Sequence, residues 1–136
     1  MRVQNSSHGY GAIAMALHWI IAVLVLAAWL LGQFGDVLPR GAAQKTGLFV
    51  HISIGLTIVT FTISRLLWRL IDPPPPLEKS PLGTWGERGA RAVQYLLYVG
   101  LFAVPAAGIV VEFADGHALP AFGLFELPSP WPADRA

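Results

Sequence analysis

Three long apolar runs dominate the chain, and the short segments between them hold most of its charge. The first covers residues 11–32 and contains no Asp, Glu, Lys or Arg. About 20 apolar residues cross a hydrocarbon core some 30 Å thick, so this run predicts a membrane-spanning helix. A cleaved secretory signal has a basic start, a shorter apolar core and a small-residue cleavage site, whereas this longer run is interrupted by His18 and Trp19, so it predicts a retained helix. The second run covers residues 48–67 and is rich in Ile, Val, Thr and Phe. Those residues favour strands in water, but in lipid only helices and closed barrels satisfy their own backbone groups. It ends in Arg65, Trp68 and Arg69, where cationic side chains reach the headgroups and an indole lies in the interface. Asp72 and the prolines at 73–76 stop the helix, and residues 77–87 predict an extended loop. The third run covers residues 92–111 and includes Pro105 and Gly108, both tolerated in membrane helices. Residues 112–136 turn polar, then rich in Pro, Gly and aromatics, and predict an interfacial loop. The expected fold is an all-α membrane domain of three transmembrane helices.

Composition sharpens this picture. The 136 residues are 54% hydrophobic and only 12% charged, against about 25% charged in a soluble domain, which excludes an ordinary water-soluble globule. The absence of cysteine excludes disulfides, thiolate metal sites, iron–sulfur clusters, covalently attached c-type haem and a cysteine nucleophile. Histidine is left as the strong nitrogen ligand. The net charge of +1 is spread through the loops with no basic stripe, so nucleic acid is excluded as a partner and the lipid bilayer is expected. Arg2, Arg65, Arg69, Lys79, Arg88 and Arg91 fall on one side of the predicted helices, and Arg40, Lys45 and Arg135 on the other. The positive-inside rule then predicts a cytoplasmic N-terminus.

A histidine inside a lipid-spanning helix is costly without a partner and marks a functional candidate. His8 and His117 lie in loops and are assigned no role. His18 sits about seven residues into the first run and His51 about three into the second, which enters from the opposite face. At ~1.5 Å per residue their depths differ by roughly 15 Å, too far to share one ligand. Two haems of a transmembrane electron path would need such an arrangement. Interhelical hydrogen bonds would explain the same two residues, since polar groups often bridge helices in a bundle. Ala14 and Ala22 lie one turn to either side of His18, and Gly55 lies one turn after His51, leaving room for a flat cofactor. Arg65 and Arg69, one turn apart, suit carboxylates such as haem propionates and suit the role of positive-inside anchors equally well.

Several motifs in order resemble the bacterial cytochrome b561 family of small integral-membrane b-type cytochromes. Residues 16–22 (ALHWIIA) are similar to its first-helix signature and residues 51–55 (HISIG) to its second-helix His-x-Ser-x-Gly. Residues 64–70 (SRLLWRL) with the proline run, residues 96–108 with Tyr98 and Pro105, and residues 121–128 (AFGLFELP) resemble the segments that follow. The resemblance implies a four-helix up-and-down bundle holding two b haems, with His18 and His51 as axial iron ligands; Gly55, Arg65 and Arg69 are the cofactor-binding candidates that their spacing from these histidines and from each other suggests. A fourth helix supplies the opposing ligands in such proteins. Its expected place is beyond Ala136, so the chain is expected to be a truncated fragment, a protein completed by a partner's helix, or a degenerate one without haem. Gln94 stands where many relatives have a third-helix histidine that is not an axial ligand. The resemblance further implies electron transfer in the bacterial inner membrane between a quinone pool and a redox partner or a small species such as superoxide. Some relatives oxidise superoxide and reduce ubiquinone, and similar domains serve as cytochrome subunits of hydrogenases or dehydrogenases. A quinone, a redox protein and a second copy of the chain are the expected partners. A haem-free membrane anchor or scaffold is the competing expectation. A small transporter fits less well, because Glu112 and Asp115 lie at the outer edge and no carboxylate lies within a span.

Overall fold

The computed structural model describes residues 1–131. Three long helices, α1 (Ala12–Phe34), α2 (Ala42–Ile71) and α3 (Gly83–Ala114), are followed by a small antiparallel hairpin of β1 (Leu119–Ala121) and β2 (Phe125–Leu127). A short 3-10 turn (Gly35–Val37) closes α1. All three helices are long and apolar enough to cross a membrane. Most of their large apolar side chains are exposed, including Trp19, Leu26, Leu67, Leu97 and Val104, as lipid contact requires.

Two boundaries differ from the expectation. Helix α2 begins at Ala42 instead of about residue 48, and α3 begins at Gly83, inside the segment 77–87 expected to be extended. Hydropathy marks the part of a helix that touches lipid, whereas the backbone bonds continue outward through residues 42–47 and 83–91, where polar side chains meet headgroups and water. The chain is free of helix only over residues 72–82 between α2 and α3. Pro105 lies inside α3, which continues past it to Ala114.

No side chain caps the start of α1, and the N-terminal segment does so instead. The carbonyls of Arg2 and Val3 accept the amides of Ala12 and Ile13 at 2.9 and 3.5 Å, two of the donors that a helix start leaves free. Gly11 makes this possible, because a Cβ there would run into the backbone of Val3 and Gln4. Asn5 joins this segment to the end of α2. Its amide donates to Asp72 Oδ2 (2.8 Å), its Nδ2 to the Asp72 and Pro73 carbonyls (2.9 and 3.3 Å), and its Oδ1 accepts from the Gly11 amide (2.8 Å). The start of α1 and the end of α2 therefore lie on one side of the membrane.

Helices α1 and α2 pack antiparallel, with Ile21, Ile58 and Thr62 buried. The hydroxyls of Ser53, Thr57, Thr60, Thr62 and Ser64 each donate to the carbonyl four residues back in α2 at 2.7–2.9 Å. Their bonding capacity is directed into their own helix, so packing and not hydroxyl bridging joins α2 to α1. Helix α3 lies against α2 and makes no close approach to α1, which leaves an open furrow between α1 and α3 with α2 as its floor. The hairpin closes one end of the furrow, burying Leu119 and Ala121. Its turn places Phe122 and Gly123 at φ 54° and 71°, in the left-handed region, and a Cβ on Gly123 would lie 3.4 Å from the Phe49 ring.

Candidate functional site

The two membrane histidines face opposite neighbours across the α1–α2 seam. His51 of α2 lies beside Gly32 of α1, where an added Cβ would come within 3.5 Å of His51 Cε1. His18 of α1 lies beside Arg65 of α2, whose Nη1 donates to His18 Nδ1 at 3.1 Å. His18 and Gly32 are fourteen residues apart, and so are His51 and Arg65. Measured along either helix, the histidines are therefore separated by roughly 21 Å. That exceeds the roughly 15 Å expected from the apolar runs, which measured each histidine from the edge of its own run, whereas the contacts with Gly32 and Arg65 align the two helices directly.

His51 opens into the furrow, which forms a cleft of about 670 Å³ lined by all three helices. This lies within the range of ligand sites, roughly 300–1,000 Å³. Gly32, Gly55, Gly100 and Gly108 line it, and a Cβ built on Gly55, Gly100 or Gly108 would meet nothing within 4 Å. Trp29, Leu97, Leu101 and Val104 supply apolar walls, while Gln33 and Glu112 are polar groups in the lining. His51 Nδ1 is buried and has no hydrogen-bond partner among the described residues. Leaving such a group unpaired costs about 1–3 kcal/mol, a cost expected of a residue kept for a ligand. A smaller recess of about 430 Å³, lined by Asp36, Gln44 and Lys45, adjoins the other flank of His51.

The His18 end is built differently. Trp19 meets the His18 ring edge-on with centroids 5.4 Å apart. Arg65 and Arg69 both lie over the ring of Tyr98 in α3, with Cζ atoms 5.7 and 5.5 Å from its centroid, and Arg69 Nη1 donates to Tyr98 Oη at 3.1 Å. One imidazole and two guanidiniums thus converge at the end of α2 that lies between His18 of α1 and Tyr98 of α3, a donor set that suits an iron with carboxylates beside it. The contacts bring His18, Arg65 and Arg69 together and keep His51 and Gly55 apart from them in the other half.

Tyr98 stands out in the sequence only as a position of the third-helix motif, with no link to the arginines. Its link to the arginines depends on the register of α3 against α2, which no local pattern reports. Gly32 reads in sequence as the end of an apolar run, yet it is the surface facing His51. At the far end of α3, His117 Nδ1 is 3.4 Å from Glu112 Oε2, with the histidine exposed to water.

The family model of prokaryotic cytochrome b561 matches residues 9–133, a range that includes every side chain named above in both halves of the site. The chain is 34% identical over 134 residues to "Cytochrome b561 homolog 2" of Escherichia coli, covering 95% of this chain and 69% of that protein. It is 30% identical over 117 residues to "Probable superoxide oxidase CybB" of Yersinia pestis, covering 85% of this chain and 64% of that protein. It is 29% identical over 106 residues to "Cytochrome b562" of Cereibacter sphaeroides, covering 74% of this chain and 65% of that protein. The chain therefore spans about two thirds of the length of each relative.

Proposed function

The chain belongs to the prokaryotic cytochrome b561 family, and from that premise we propose that it carries single electrons across a bacterial inner membrane on two b-type haems, one in each half of the bilayer. The observation that carries this reading is the pair of histidines on facing helices, roughly 21 Å apart along the bundle, each beside features suited to a flat, carboxylate-bearing group. Bound haem supplies an iron that changes oxidation state by one electron without gaining or losing a ligand.

His51 would hold one haem iron in the cleft, where Gly55, Gly100 and Gly108 keep side chains out of the space a macrocycle needs. His18 would hold the second haem iron, and Arg65 and Arg69 would pair with carboxylates at its edge. Trp29, Leu97, Leu101 and Val104 would keep water from His51, and an iron with both histidine ligands in place would leave no open site for substrate, which favours outer-sphere electron transfer over ligand-binding chemistry. The uncovered side of the furrow is the place for a fourth helix carrying the opposing ligands, in keeping with the greater length of the relatives. Quinone is the proposed acceptor class. Superoxide is the proposed donor, in line with the name of the Yersinia relative: two superoxide anions yield two electrons and two dioxygen molecules, and one quinone takes those electrons with two protons. A redox protein or a second copy of the chain are further partner classes. The excess of Lys and Arg on the side of the N-terminus and the 72–82 loop supports a cytoplasmic N-terminus.

A second reading, a haem-free scaffold, is favoured by the His18–Arg65 hydrogen bond, which gives one histidine a protein partner across the seam. It leaves the unpartnered His51 Nδ1 unexplained. A reduced-minus-oxidised spectrum of the full-length gene product purified from membranes separates the two. Electron transfer predicts b-type bands at about two haems per chain; a spectrum without them leaves the scaffold.

A further inference from the structure

The two histidines differ in what they offer an iron before any cofactor is bound. A guanidinium has five N–H donors and no acceptor, so Arg65, 3.1 Å from His18 Nδ1, can only donate to it. A neutral imidazole that accepts at Nδ1 carries its proton at Nε2. Ligation through Nε2 needs the reverse, a free lone pair at Nε2 and a proton on Nδ1. Ligation through Nδ1 is blocked because Arg65 sits on that atom. As folded, His18 is closed at both nitrogens. Among the described residues no protein group meets His51 Nδ1, which is buried without a partner.

Arg65 also has a second attachment. Its head lies over Tyr98, which Arg69 holds from the same helix by stacking and by a hydrogen bond. The stack keeps Arg65 near the site when its N–H groups change partner. A carboxylate is a stronger partner for Arg65 than a neutral imidazole nitrogen, because it brings its own negative charge and can take two parallel N–H donors at once.

We infer that Arg65 is a latch on His18 that a carboxylate-bearing porphyrin opens, so that this site selects its cofactor by the carboxylate edge while the His51 site does not. The inference rests on the reading of His18 as a haem ligand. A carboxylate draws the guanidinium off Nδ1. One proton then leaves Nε2 to water and one arrives at Nδ1 from water, which leaves the ring neutral and its Nε2 lone pair free. Arg65 is a positioning residue in this scheme: it sets which nitrogen of His18 is available and does not touch the iron.

The test uses the full-length gene product made in haem-deficient cells and held in lipid nanodiscs. It is titrated with protohaem and, separately, with the dimethyl ester of protohaem, which keeps the macrocycle and lacks the carboxylates. The expected result is two low-spin b haems per chain with protohaem and one with the ester, the missing one being at His18. Arg65→Ala removes the latch, so the ester then fills both sites; Arg65→Lys keeps a cationic donor and still excludes the second ester. Uptake at His51 reports that each variant is folded. Nitrogen-15 spectra of the haem-free wild type supply a readout independent of loading: His18 is expected protonated at Nε2 and bare at Nδ1. Two esters in the wild type, continued exclusion in Arg65→Ala, or a His18 bare at Nε2 would each overturn the latch. Failure of protohaem itself to bind overturns the electron-transfer reading instead.

Discussion

His18 and His51 carry the same imidazole in opposite surroundings, one held by an arginine and one left bare beside a cleft. Because roughly 21 Å separates them along the helices, His18→Ala and His51→Ala are each expected to abolish a different haem, leaving about half of the b-type absorbance in either variant. Resolved spectra or potentiometric titration checks this, and loss of the same component in both variants would contradict the separation. Both histidines were legible in the sequence, because an imidazole within an apolar run is costly and its position along the run sets a depth. So was the room beside His51, because Gly55 falls one turn later on the same face. The Arg65 bond to His18 was not legible, since a contact between residues 47 apart depends on how two helices slide past each other. The arginines could be read from sequence as anchors or as carboxylate partners; their shared contact with Tyr98 adds a third element to that end of the site.

At the scale of elements, the least legible device is the cap on α1. Its start shows no Ser, Thr, Asp or Asn in the N-cap position, and its free amides are met by backbone carbonyls ten residues earlier. Asn5 fixes that segment with both atoms of its side-chain amide. Asn5→Ala removes these bonds and leaves half-buried groups unmet, at a net cost of roughly 2 kcal/mol. The thermal midpoint of helix loss in detergent is expected to fall by roughly 5 °C or more. Asn5→Asp is expected to fall further, because it turns a donor into an acceptor facing the Asp72 and Pro73 carbonyls and adds a negative charge beside buried Asp72. A midpoint unchanged in both variants would show that the segment does not hold α1 to α2. Hydropathy found all three helices, since their apolar middles are uninterrupted, but it placed the starts of α2 and α3 too late. It also left the terminal segment as a loop, because three-residue strands carry too few residues for an alternating pattern to stand out.

At the scale of the molecule, the three helices form an open trough instead of a closed bundle, and the low burial of α3 follows from having one neighbour along its length. Sequence length and three apolar runs made this openness legible, while the shape of the cleft depended on glycines brought together from three separate helices. Orientation is testable with little disturbance, since these residues include no cysteine. A cysteine at Ala118 is expected to react with a membrane-impermeant maleimide in intact cells, and one at Pro76 only after permeabilisation. The reverse pattern would invert the assignment. The separation of the two histidines has one more consequence. A charge passed between their heights moves across about 21 Å of a core roughly 30 Å thick. At a potential of about 100 mV this displacement is worth about 1.6 kcal/mol per electron, roughly a 15-fold bias in how an electron divides between the two positions. The membrane's own voltage would then act on this protein as a thermodynamic input, favouring one direction of flow and opposing the other even with donor and acceptor unchanged.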